Sequence, residues 1–147
     1  MKKSGVSILI LLAAVIHLHA QKSEIFVKDS LAVRGYDVVA YFTQSAPVKG
    51  TPEFVHVWKG GKWYFANREN WEAFKNAPEA YAPQYGGYCA YGTADGHKAP
   101  TDPEAWTVSD GKLYLNYSKK VMEIWRKDQP GFIEKANKNW PTVKLQE

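Results

Sequence analysis

The chain has 147 residues, of which 45 % are hydrophobic and 14 % aromatic, and a formal charge of +4. That length suits one domain with its own core. The charge is small and scattered, so neither nucleic acid nor an anionic membrane is expected as a partner.

The chain opens on Lys2 and Lys3, followed from Val6 to Ile16 by an apolar run interrupted only at Ser7. Small Ala20 precedes Gln21. This charged, apolar, small-residue order predicts a secretory signal over 1–20. The run is too short to cross a hydrocarbon core of about 30 Å, so no stable membrane insertion is expected once the signal is cleaved. The protein is thus expected to be exported, periplasmic or secreted. Removal of the signal takes away two basic residues and no acidic one, leaving a charge of +2.

Residues 21–32 read as a polar lead-in around Ile25-Phe26-Val27, 33–143 as the domain proper and 144–147 as a tail. Val38 to Phe42 is apolar and β-rich and predicts a buried strand. Gly60-Gly61 between Phe54–Lys59 and Lys62–Ala66 predicts a tight hairpin, and Asp110-Gly111 between Trp106–Ser109 and Lys112–Asn116 predicts a second. Asn67 is placed to cap a helix bearing Trp71 and Phe74 on one face. Pro78 opens a short helical piece to Tyr81, and Gln84 to Gly96 reads as irregular and glycine-rich.

Ser118 is placed to cap a helix from Lys119 to Lys127, with Val121, Ile124 and Trp125 inward. Pro130 opens a final helix to about Asn139, which Pro141 is expected to stop. Gly61-Lys62-Trp63-Tyr64-Phe65 echoes Gly111-Lys112-Leu113-Tyr114-Leu115 at an offset of 50. Hairpin chemistry alone can produce such an echo, but it supports two similar units. The expected fold is a single small α+β domain: two β-hairpin-plus-helix units, a short antiparallel sheet and a C-terminal helix. The six tryptophans all follow the signal and predict a core of few, large side chains.

Cys89 is the only cysteine, so no intramolecular disulfide can form. It lies in a loop with Tyr85, Gly86, Gly87, Tyr88 and Tyr91, whose glycines permit crowded or left-handed backbone. Free cysteine is often simply buried. With His97 and His56 as further ligands, Cys89 is a candidate anchor for a soft metal ion, copper or zinc. No Cys-x-x-Cys, His-x-x-x-His, phosphate loop or dinucleotide fingerprint is present, and no catalytic constellation is expected.

Six stretches together carry a resemblance: Gly35-Tyr36-Asp37-Val38-Val39-Ala40-Tyr41-Phe42, Gly50-Thr51-Pro52-Glu53-Phe54, Trp63-Tyr64-Phe65-Ala66, the run from Pro78 to Ala90, Asp102-Pro103-Glu104-Ala105-Trp106, and the run from Asp110 to Tyr117. In this order they resemble the exported bacterial YHS domain-containing proteins, including forms described as selenoproteins. The match runs from about Val33 to Val143, and marks 33–143 as a YHS-like domain. The resemblance implies a small α+β unit, linked in some relatives to metal held by cysteines. Those thiols correspond here to Ala40, Ala66 and Asn70, so that site does not carry over and Cys89 remains. Three readings follow. The first is a small binding module for a soft metal ion. The others are a thiol redox protein that engages a thiol partner through Cys89, and a non-catalytic structural or interaction domain.

Overall fold

The computed structural model describes residues 23–147; the expected signal segment lies outside them. The fold is α+β. Strands β1 (Val27–Lys28), β2 (Leu31–Ala32), β3 (Thr51–Trp58) and β4 (Gly61–Phe65) form one sheet in the order β1-β2-β4-β3. Strands β5 (Asp102–Ser109) and β6 (Lys112–Asn116) form a second. The helices are α1 (Ala40–Thr43), α2 (Arg68–Asn76), α3 (Pro78–Tyr81), α4 (Ala90–Ala94), α5 (Lys119–Arg126) and α6 (Gln129–Val143). The larger sheet is mixed rather than purely antiparallel, because β2 runs parallel to β4. Thus the segment read as a lead-in supplies two strands and the buried side chains of Ile25 and Ala32.

The domain is built twice over. Thr51 pairs with Phe65 in the first hairpin and Asp102 with Asn116 in the second, each followed by a register shift of the same length. Asn67 and Ser118 cap the helices that follow, accepting N–H bonds from Asn70 and Val121. Phe74 stacks on Trp63, and Trp125 packs on Tyr114. All these pairs are 51 positions apart.

Upstream, Val33, Arg34 and Gly35 have φ of 48°, 52° and 83°, and Tyr85, Gly86 and Gly87 have φ of 57°, 62° and 82°. Each left-handed run closes identically, with Tyr36 N–H donating to the Val33 carbonyl and Tyr88 N–H to that of Tyr85. Asp37 N–H then binds the Val48 carbonyl, and Cys89 N–H that of Ala99.

The repeat at 51 differs by one residue from the echo at 50, and one residue reverses a strand's faces. Trp63 corresponds in space to Tyr114, not to Leu113. The hairpin turn is likewise displaced. Because Trp58 pairs with Gly61, its central residues are Lys59 and Gly60, at φ 47° and 77°. Gly61 opens β4, where an added Cβ would stand 3.2 Å from Val27. The Asp110-Gly111 turn forms as expected, at φ 51° and 71°.

Two cores result. Trp63, Phe65 and Phe74 center the first, together with Leu113 and Leu115 from the other hairpin. Tyr114, Trp125, Tyr85, Ala90 and Ala136 form the second. Strand β6 is therefore buried on both faces and joins the cores.

Three further expectations need correction. Val38 to Phe42 is not a strand. The Asp37 carboxylate accepts the Val39 and Ala40 N–H groups, which turns the chain into α1 against β propensity. On α5 the buried residues are Met122 and Trp125, while Ile124 is 39 % exposed. Pro141 does not stop α6. Lying in the last turns, it removes only its own N–H bond, and Lys144 N–H still reaches the Trp140 carbonyl at 2.9 Å. The tail is docked as well, since Lys98 Nζ donates to the carbonyls of Lys144 and Gln146.

Candidate functional site

The loop expected to be irregular is ordered by its neighbours. An added Cβ on Gly86 would run into the Glu24 carbonyl, so the close approach of the N-terminal segment requires glycine there. Phe26 N–H donates to the Gly86 carbonyl at 2.8 Å. Tyr85 donates its hydroxyl to Asn137 at 2.9 Å and Tyr88 to the Ser23 carbonyl at 3.0 Å, while Tyr91 packs on Phe132. These aromatics are spent on packing and on tying down the segment at Ser23 and helix α6; among the described residues no tyrosine hydroxyl bonds the thiol.

Cys89 itself is 1 % exposed and is the N-cap residue of α4. Its Sγ accepts the Gly92 N–H at 3.4 Å and the Tyr117 N–H at 3.2 Å, and lies 3.5 Å from Asn116 Oδ1 as donor. Burial pushes the thiol's pKa up, against a weaker downward pull from the N–H groups of Gly92, Tyr117 and Tyr91. A reactive thiol needs the opposite balance.

The first repeat explains this arrangement. Asp37 occupies the equivalent place, is fully buried, and accepts the Ala40 N–H at the start of α1, as Cys89 accepts the Gly92 N–H in α4. Its other oxygen accepts the Ala66 N–H at 2.9 Å, and Ala66 is the counterpart of Tyr117. Asn70 Nδ2 donates to that oxygen at 2.8 Å. Each repeat therefore has a buried acceptor that pins the strand-to-helix junction, a carboxylate in one and a sulfur in the other. The three positions at which the family resemblance expects thiols, Ala40, Ala66 and Asn70, all donate to Asp37.

The two histidines are not gathered around the thiol. The His97 side chain is 55 % exposed, and its Nδ1 lies 3.6 Å from Asp95 Oδ2. His56 sits on β3 in the other sheet, its ring 6.1 Å from that of Phe74. Among the described residues no three His, Cys, Asp or Glu side chains stand close enough together to hold a metal ion.

An open cleft of about 450 Å³ lies beside this region, lined by Arg34, Pro100, Thr101, Asp102, Pro103 and Tyr117. Tyr117 joins the two places: its N–H binds Cys89, while the residue lines the cleft and is 57 % exposed. The sequence reading passed over Arg34 and Tyr117. Only comparison of the repeats would have singled them out, because their counterparts are Gly86 and Ala66.

The buried hydroxyls and thiol set one pH response. Burial raises the pKa values of Tyr41, Tyr85, Tyr88, Tyr114 and Cys89, so the native state holds these protons more tightly than the unfolded chain. The stabilisation is complete below the unfolded values, about 8.5 for cysteine and about 10 for tyrosine, and is lost as pH rises through the higher native ones. Urea midpoints measured across alkaline pH should hold level up to about 8.5 and fall above it.

No family model, curated protein or solved structure matches the chain.

Proposed function

We propose that the chain acts outside the cytoplasm as a non-catalytic binding module whose lone cysteine is part of the framework. The observation that carries this reading is the Cys89 sulfur, sealed from solvent and accepting N–H bonds at 3.4 and 3.2 Å in the role Asp37 plays in the other repeat. A metal ion on that sulfur would have to displace those bonds, and neither histidine is poised to help. The export reading rests on residues 1–20, and the resemblance to YHS domain-containing proteins supports a small ligand-binding unit.

Titration with Cu(I), Cu(II) and Zn(II), together with alkylation of the thiol against pH, tests the proposal. The wild type and Cys89→Ser should bind each metal equally weakly. Alkylation should be slow and show an apparent pKa above the free-thiol value of about 8.5. Tight binding that Cys89→Ser abolishes would restore the soft-metal module. Fast alkylation at neutral pH would favour the thiol redox reading instead.

A further inference from the structure

Features the two repeats share belong to the fold; features present in only one are free for another task. The shared set includes the left-handed runs, the buried acceptors, the hairpins and the helix caps. The cleft beside Tyr117 belongs to the second set. Its three reactive groups, Arg34, Asp102 and Tyr117, have as counterparts Gly86, Thr51 and Ala66, which carry no charge and no ring. Its apolar wall residue Pro103 does have a proline counterpart, Pro52. The scaffold is thus repeated, and the chemistry is added on one side only.

The added groups are held in place. Arg34 Nε donates to the Thr101 carbonyl at 2.9 Å, and its guanidinium lies 5.8 Å from the Phe26 ring centre. That bond leaves the Nη edge of the fork without a partner among the described residues. Thr101 is fixed in turn, donating its hydroxyl to the Gly87 carbonyl at 2.7 Å. One Asp102 oxygen accepts the Glu104 N–H at 2.9 Å, and the other has no hydrogen-bond partner among the described residues. Arg34 and Asp102 line one cleft yet form no ion pair with each other. Two fixed, opposite and unneutralised charges complement a ligand that carries both signs.

Resting on the binding-module reading above, we infer that this cleft takes a small zwitterion with a carboxylate and an ammonium group, as in an α-amino acid or a short peptide. The Nη fork of Arg34 matches the geometry of a carboxylate. The free oxygen of Asp102 receives the ammonium group, and the Tyr117 ring covers the ligand's apolar part. A cleft of about 450 Å³ is in the range of small-molecule sites.

Amide chemical shifts of the full chain titrated with L-leucine and with the dipeptide Leu-Leu provide the test, with N-acetyl-L-leucine and L-leucinamide as single-charge probes. Shifts at Thr101, Asp102 and Tyr117 are expected with L-leucine or Leu-Leu, and whichever binds tells the free amino acid from the peptide. Removing either charge should weaken binding at least tenfold. Arg34→Gln and Asp102→Asn should each do the same, and the solvent-exposed Tyr117→Leu about threefold while leaving the spectrum folded. No shifts with either zwitterion, or equal binding by the single-charge probes or by the folded variants, would overturn the assignment. Such a result leaves the Cys89 measurements standing, so the two failures are distinct.

Discussion

Replacing Asp37 with alanine should cost a large share of the protein's stability. Its carboxylate is fully buried and serves four donors: the N–H groups of Val39, Ala40 and Ala66 and the Asn70 side chain, at 2.8 to 3.3 Å. Hydrogen bonds to a charged group are each worth about 1.5–3 kcal/mol net, and a buried donor left unpaired costs about 1–3 kcal/mol. Partial relaxation and the relief of burying a charge reduce the sum, so a loss of about 4 kcal/mol is expected. Against a typical total of about 5–15 kcal/mol, that is a large fraction of the stability. Asp37→Asn retains one acceptor but turns an amide toward donors, and should lose about half as much. Urea unfolding of both variants, with exposed Glu53→Ala as a control that changes little, checks the order. A loss below about 1 kcal/mol for Asp37→Ala, within the range of an ordinary hydrogen bond, would show that the junction is not held this way.

Phe74→Ala is the second large effect. The Phe74 ring is fully buried and meets Trp63 and Phe65 at 5.0 Å, Trp58 at 5.7 Å and His56 at 6.1 Å between ring centres. Truncation removes the side chain joining α2 to both strands of the first hairpin, and the stiff rings around it cannot close the cavity. The expected loss is about 3–5 kcal/mol, read as a lower urea midpoint at unchanged slope. Phe74→Leu fills most of the space and should lose less than half of that. Equal losses for the two variants would mean that packing volume is not the cause.

The local signals in the chain were good guides to local structure. Asn67, Ser118 and Asp110-Gly111 do what their side chains and dihedral preferences allow, because a cap or a tight turn depends on a few neighbouring residues. Errors arise where a distant partner decides. Val38-Val39 has strand-forming residues, but the Asp37 carboxylate gathers the N–H groups of Val39 and Ala40 there while engaging Ala66 and Asn70 from the far side of the hairpin. The echo of identical letters at 50 lies one residue from the structural repeat at 51, since burial rather than identity sets strand register. The loop around Cys89 drew attention through its composition, yet its burial depends on Ala99, Asn116 and Tyr117, none adjacent in sequence. Arg34 drew none, because its place beside Asp102 and Tyr117 exists only once the two repeats are joined.

Each buried acceptor also precedes, in the order of synthesis, the hairpin that it locks. Asp37 is made 29 residues before Ala66 and 33 before Asn70, and Cys89 28 before Tyr117. A growing chain therefore presents each acceptor in turn while its own partners are still missing. The hairpins, closed by tight turns, can form on their own within microseconds. In both halves the order along the chain is the same, the acceptor first and its hairpin afterwards.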